Sequence, residues 1–214
     1  MTTIAVIDYG MGNLRSVSKA MEHVVAKGDK VIVTDDPAKI RAASRVVFPG
    51  QGAAKDCMAQ LAQHKVIEAV MEAAAEKPFL GICMGLQVLL SHSEENGGVD
   101  CLDLFSGKVR FFGQELRDTD SNERLKIPHM GWNRVTQQQP HPLWQGIEDE
   151  ARFYFVHSYF VEPDDLSLRV GSSVYGERFA TALARENVFS CQFHPEKSAH
   201  DGLQLLHNFA RWSV

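Results

Sequence analysis

Three short segments carry the residue types that acyl-transfer chemistry needs. The first is Gly81-Ile-Cys83-Met-Gly85, where a cysteine ends an apolar run and a glycine stands two places to either side. Most buried cysteines behave as small hydrophobes, and a tight turn around an inert thiol accounts for the same letters. Glycines weaken strand and helix interiors, however, so their placement asks for a reason. Read as strand, turn and helix, the segment has the form of a nucleophile elbow with sulfur in place of serine. A helix beginning near Met84 would point its N-terminus at Cys83 and favour a thiolate there. It would also offer the Met84 N–H to a developing oxyanion.

A thiol nucleophile needs a base, and the base needs an orienting group. His194-Pro-Glu196 follows the apolar stretch Val188–Phe193. Alternation along an extended segment puts His194 and Glu196 on one side, and Pro195 favours extended backbone at His194. A carboxylate so placed holds the imidazole in one tautomer and stabilises its charged form. Alone, a His-x-Glu pair is commonly solvated polarity. Its position matters, because functional groups in open α/β sheets collect at the carboxyl ends of strands. The third segment, Phe48-Pro-Gly50-Gln51-Gly52, also follows an apolar run. Its glycines let backbone amides approach a substrate, although a plain turn reads the same way.

The elements that must position these groups alternate in the first half. Ile4–Ile7, Lys30–Thr34, Arg45–Phe48 and Pro78–Ile82 read as strands, and Leu14–Ala26, Ala53–Gln63 and Val66–Ala75 as helices. Strands alternating with helices predict βαβ units and a parallel sheet covered on both faces. In the second half Lys108–Phe112, Trp132–Val135, Arg152–Val156, Ser158–Val161, Leu168–Ser173, Phe179–Ala184 and Val188–Phe193 are closely spaced strand candidates. Short turns at Tyr175-Gly-Glu177 and Arg185-Glu-Asn187 predict antiparallel hairpins, and His200–Arg211 a closing amphipathic helix. Gly113–Lys126 is the most loop-like stretch.

With 214 residues, 44% of them hydrophobic, the chain is expected to form one α/β domain over 1–214. A net charge of −5 with scattered Lys and Arg argues against nucleic acid as a partner. The absence of an 18-residue apolar run argues against a membrane span, and the start lacks a basic leader, so a cytoplasmic location is expected. Cys57, Cys83, Cys101 and Cys191 have no CxxC spacing and read as free thiols. No Cys/His cluster has zinc spacing. Gly10-Met-Gly12-Asn-Leu-Arg15 hints at a dinucleotide fingerprint, but Arg15 stands where the third glycine belongs. Cys57, Cys101 and Cys191 lack glycine bracketing or a nearby base and read as packing.

Together, Gly-Ile-Cys83-Met-Gly-Leu-Gln87, Phe-Pro-Gly-Gln-Gly52 and Gln-Phe-His194-Pro-Glu196 resemble the signature segments of class I (triad-type) glutamine amidotransferases. Asp8-Tyr-Gly-Met-Gly-Asn13-Leu, Pro128-His-Met-Gly-Trp-Asn133 and Tyr154-Phe-Val-His-Ser-Tyr159 narrow the resemblance to the glutaminase subunits of imidazole glycerol phosphate synthase. The resemblance implies an α/β fold with a mixed, mostly parallel central sheet flanked by helices, plus an antiparallel portion. It implies Cys83, His194 and Glu196 as a triad acting on L-glutamine without metal or organic cofactor. Gly50, Gln51, Gly52, Met84, Gln87, Ser158 and Tyr159 would line the glutamine pocket. The implied partner is a cyclase subunit, a (β/α)₈ barrel that consumes the ammonia in histidine biosynthesis. Asn13, Met130 and Trp132 would face it, although an aromatic such as Trp132 is equally often core. Gln51 stands where the family often carries an apolar residue, Met84 and Leu86 invert a more usual order, and the polar insert before Pro128 is long. A glutaminase for another synthase such as anthranilate synthase, a cysteine peptidase of similar fold, and a catalytically idle docking subunit are the alternatives.

Overall fold

The computed structural model describes residues 1–11 and 13–213. The first half runs β1 (Thr3–Ile7), α1 (Leu14–Val24), β2 (Lys30–Thr34), α2 (Pro37–Ala42), β3 (Arg45–Gly50), α3 (Ala54–Gln63), α4 (Ile67–Glu76), β4 (Phe79–Cys83) and a single turn, α5 (Met84–Gln87). The second half begins with β5 (Leu90–Ser93), β6 (Val99–Asp100), β7 (Phe105–Phe111), β8 (His129–Arg134), β9 (Thr136–Gln137) and β10 (Arg152–His157). It closes with β11 (Tyr159–Pro163), β12 (Arg169–Tyr175), β13 (Glu177–Arg185), β14 (Val188–Cys191) and α6 (Ala199–Arg211).

One large sheet has the order β2-β1-β3-β4-β14-β13-β11-β7-β5-β6, with β12 beside β13 and β9 beside β12. The strands from β2 through β14 are parallel, and the sheet turns antiparallel from β14 to β13. A separate antiparallel pair joins β8 to β10. Alternation along β1 explains why its apolar run is unbroken. Ile4 and Val6 pack beneath α1 and α6 with Val17, Met21, Leu206 and Phe209. Ala5 and Ile7 pack on the opposite face with Cys57, Leu61, Val70 and Ala73 of α3 and α4. A strand with helices on both faces needs apolar side chains at every position.

The hairpins expected at Tyr175–Glu177 and Arg185–Asn187 join β12 to β13 and β13 to β14. Several boundaries differ by a few residues: β3 runs on to Gly50, and β14 stops at Cys191 rather than Phe193. Helix α2 was not expected. It is short and buries one large apolar residue, Ile40, too little to register as periodicity, although Asp36 caps it and Pro37 opens it. Strands β5, β6 and β9 were also missed. The helix expected from Met84 is one turn only, because the chain re-enters the sheet at Leu90. The polar stretch Gly113–Lys126 folds back on itself through a bridge between Arg117 and Arg124 and a bond from Leu125 N to the Leu116 carbonyl. No helix of the described residues is long and apolar enough to cross a membrane.

Candidate active site

Strand order brings the three chemistry-bearing segments together. β4 lies between β3 and β14, with Gly50 opposite Cys83 and Cys191 opposite Ile82. The Pro49–Gly52 loop, the cysteine and the histidine therefore leave the sheet at adjacent carboxyl ends.

Cys83 itself adopts φ 57° and ψ −110°, a conformation that side chains rarely take. Strain of this kind costs about 1–3 kcal/mol and persists only where the surroundings enforce it. Gly85 and, across on β3, Gly50 supply that enforcement by close approach. A Cβ on Gly85 would overlap the Phe48 carbonyl oxygen, and one on Gly50 would strike the Tyr9 hydroxyl and lie 2.9 Å from the Met84 Cβ. The elbow is thus pressed directly against the end of β3. Gly85→Ala is expected to cost about 3 kcal/mol or more in urea unfolding, because the obstacle is backbone rather than a side chain that can swing away. Because α5 is one turn, it supplies amides at its start rather than the macrodipole of a long helix.

The base arises differently from the extended alternation expected. His194 is extended, at φ −102° and ψ 95°, but Pro195–Lys197 is a 3₁₀ turn. That turn swings Glu196 back so that its Oε1 lies 2.8 Å from His194 Nδ1. The main chain of His194 is held on β10, its N–H donating to the Tyr154 carbonyl at 2.9 Å. Ser198 Oγ donates to the His194 carbonyl at 2.6 Å and accepts from Tyr154 N–H at 3.0 Å. Burial works to lower the His194 pKa, but the Cys83 sulfur and the Glu196 carboxylate outweigh it and raise it to about 10. His194 Nε2 is buried without a hydrogen-bond partner, and so is the second carboxylate oxygen of Glu196. The remaining thiols are inert by comparison: burial pushes Cys57 up to about 12 and Cys101 to about 11, and holds Cys191 well above the ordinary thiol value.

A cavity of about 580 Å³ opens onto Cys83 and His194 and is lined by Gln51, Gly52, Met84, Gln87, Ser158 and Tyr159. Gly50, also expected in the lining, is buried behind Gln51 and Gly52, packed between Tyr9 and the elbow. Gly10 and Met11 reach the cavity rim, while Gly12 lies outside the described residues. The Tyr9 hydroxyl donates to the Pro49 carbonyl at 2.9 Å and anchors the loop from behind. Asn13, Met130 and Trp132 stay out of the cavity. Asn13 caps α1, accepting from Ser16 N–H at 3.4 Å, and Met130 and Trp132 stand 62% and 48% exposed on β8, so Trp132 is not core.

Four further cavity residues were not legible beforehand: Glu95, Pro128, Val156 and His157. Glu95 is the one with a charge. Its Oε2 accepts from Ala54 N–H at 2.7 Å, supplying the cap that Ala53 cannot provide to α3. In sequence it is one carboxylate of a Glu-Glu-Asn-Gly turn, with nothing to separate it from solvated polarity. His157 is kept neutral by burial, at about 3, and its neighbour His129 likewise at about 4. His157 Nδ1 donates to the Tyr159 carbonyl at 2.8 Å and its Nε2 accepts from His129 Nδ1 at 2.9 Å, which braces the cavity wall. No group of three or more His, Cys, Asp and Glu among the described residues is placed to hold a metal ion.

A strained cysteine elbow, an oriented histidine and a glycine loop at adjacent strand ends form the arrangement that triad-type acyl transfer would require. The model of the family Glutamine amidotransferase class-I matches residues 5–212, and the chain belongs to that family of enzymes. It is 61% identical to imidazole glycerol phosphate synthase subunit HisH of Dechloromonas aromatica, over 98% of this chain and 96% of that one. It is 57% identical to the subunit of the same name from Pseudomonas putida, over 99% and 98% of the two chains. Among solved structures, PurLQS from Thermotoga maritima superposes with a TM-score of 0.73 at 19% identity, covering 99% of each chain.

Proposed function

We propose that this chain is the glutaminase subunit of an imidazole glycerol phosphate synthase, hydrolysing L-glutamine to glutamate and ammonia for a cyclase subunit. The observation that carries the chemistry is the pairing of His194 Nδ1 with Glu196 Oε1 at 2.8 Å, beside Cys83 at the elbow. The HisH names of relatives more than half identical over nearly the whole chain support the particular synthase.

In this reading the Cys83 thiolate attacks the carboxamide carbon of glutamine. The oxyanion is held by the Met84 amide and an amide of the Pro49–Gly52 loop. His194 gives its Nε2 proton to the nitrogen as the C–N bond breaks, and ammonia leaves. Water then gives a proton to His194 and attacks the thioester carbon, and the C–S bond breaks to release glutamate and restore the thiolate. Acyl transfer of this kind calls for a nucleophile, a base and amide donors, and for no metal or organic cofactor. Ammonia released into neutral water becomes ammonium, which is not a nucleophile, so a consumer must dock at the site. Asn13, Met130 and Trp132 are the residues proposed to face that cyclase in a heterodimer, and the exposure of Met130 and Trp132 on β8 supports it.

Glutamine also carries an α-ammonium, and Glu95 is the cavity carboxylate that suits it. Glu95→Gln is expected to raise KM for glutamine about tenfold with kcat little changed, since a hydrogen bond to a charged group is worth about 1.5–3 kcal/mol. The overall proposal is tested by glutamine hydrolysis and imidazole glycerol phosphate formation, measured with the cyclase subunit of this synthase and with an anthranilate synthase partner. Activation by the anthranilate partner alone would overturn it.

A further inference from the structure

Gln192 is fully buried two residues before His194, and it links the cavity wall to the nucleophile. Gln87 Nε2 lies 3.2 Å from the Tyr159 carbonyl and 2.9 Å from Gln192 Oε1. Gln192 Nε2 in turn lies 3.7 Å from Cys83 Sγ. One backbone group determines how both amides point. The Tyr159 carbonyl can only accept, so Gln87 must turn its NH₂ group toward it. The second N–H of that NH₂ meets Gln192, which must therefore present its oxygen. Gln192 is left with its own NH₂ group against the sulfur. The arrangement leaves Gln87 Oε1 buried without a partner, but flipping either amide would add like groups set face to face, which is costlier still in a buried site. Both ends are anchored: the Tyr159 carbonyl also accepts from His157 Nδ1 at 2.8 Å, and Gln192 N–H donates to the Thr181 carbonyl at 2.8 Å.

We propose that the Gln192 side-chain amide is a hydrogen-bond donor to the Cys83 sulfur, favouring its thiolate and fixing its direction toward the cavity. The proposal rests on the reading of Cys83 as nucleophile. Polarity is what makes the contact useful. A neutral thiol is a weak acceptor, whereas hydrogen bonds to an ionised acceptor are roughly twice as strong as neutral ones. The contact therefore strengthens as the thiolate forms. With His194 as the mobile proton carrier, Gln192 is the donor that stays in place when the proton moves. The chain Tyr159–Gln87–Gln192–Cys83 also makes the sulfur's environment depend on the cavity wall formed at Ser158 and Tyr159.

The test is alkylation of Cys83 by iodoacetamide across pH, read by peptide mass, in the wild-type chain and in Gln192→Met, which keeps the volume and removes the donor. The variant is expected to show its alkylation profile displaced to higher pH. Its kcat for glutamine should fall about tenfold, with KM within about twofold of wild type. Gln192→Glu, which sets an acceptor against the sulfur, is expected to lose more. Superimposable alkylation profiles for wild type and Gln192→Met would overturn the proposal. Should the variant not fold, the side-chain amide resonances of Gln192 in the wild-type chain serve instead. They are expected to move when Cys83 is alkylated, and unmoved resonances would overturn the proposal equally. Retention of glutamine hydrolysis by Cys83→Ala would instead overturn the nucleophile reading on which the proposal rests.

Discussion

Cys83→Ala and Cys83→Gly are both expected to lose glutamine hydrolysis by about 10⁴-fold or more, while Cys83→Gly unfolds at higher urea than Cys83→Ala. The loss of activity follows from removing the proposed nucleophile, since the remaining thiols are held protonated. The stability order is the more discriminating result. Alanine retains a Cβ at φ 57° and ψ −110°, and glycine does not. Relief of that strain contributes about 1–3 kcal/mol. The greater freedom of glycine in the unfolded chain opposes it by about 0.4–1 kcal/mol. Strain wins, so the turn is held against its own preference to expose the sulfur. A glycine variant less stable than the alanine variant would show that the elbow is relaxed in solution.

Glu196→Gln is expected to lower kcat for glutamine by about 10³–10⁴-fold with KM nearly unchanged, as when a triad carboxylate is neutralised elsewhere. Glu196 touches His194 and not the cavity, so substrate binding has little reason to respond. Burial, the largest influence on His194, disfavours its charge, and Cys83 and Glu196 together raise its pKa to about 10. Without the carboxylate the imidazolium loses one of its two supports, and the proton needed by the departing nitrogen is held less readily at neutral pH. The sign for stability follows from the same shift. A folded-state pKa above the ordinary 6.5 stabilises the fold fully below about 6.5, and the contribution is lost as pH rises through about 10. In Glu196→Gln the contribution should be smaller and its loss complete at lower pH, which urea unfolding across pH would show. Coincident curves for the two proteins would mean that Glu196 does not stabilise the charged imidazole.

Much of the frame was legible locally. Alternating apolar runs and amphipathic stretches marked the parallel half, because a doubly covered strand and a one-sided helix impose different periods. The glycines around Cys83, the proline after His194 and the glycines after Phe48 signalled turns at strand ends, where α/β sheets place their chemistry. Elements without a period were missed. Helix α2 buries one large side chain, and β5, β6 and β9 are two to four residues long, too short for a pattern. Glu196 was paired correctly with His194 for the wrong local reason: a 3₁₀ turn, not strand alternation, brings it back.

The amino-acid sequence by itself determined which residues could act as nucleophile, base and orienter, since those roles need particular side chains in particular local turns. It also carried the family resemblance. Only the tertiary structure decided that β4 lies between β3 and β14, so that Cys83 meets His194 and the Pro49–Gly52 loop. It alone brought Glu95 across to cap α3 and enter the cavity, packed Gly50 behind Gln51 and Gly52, and oriented the amides of Gln87 and Gln192. The physical reason is the same throughout: local patterns report constraints within a few residues, whereas strand order and buried hydrogen bonds join groups about a hundred residues apart.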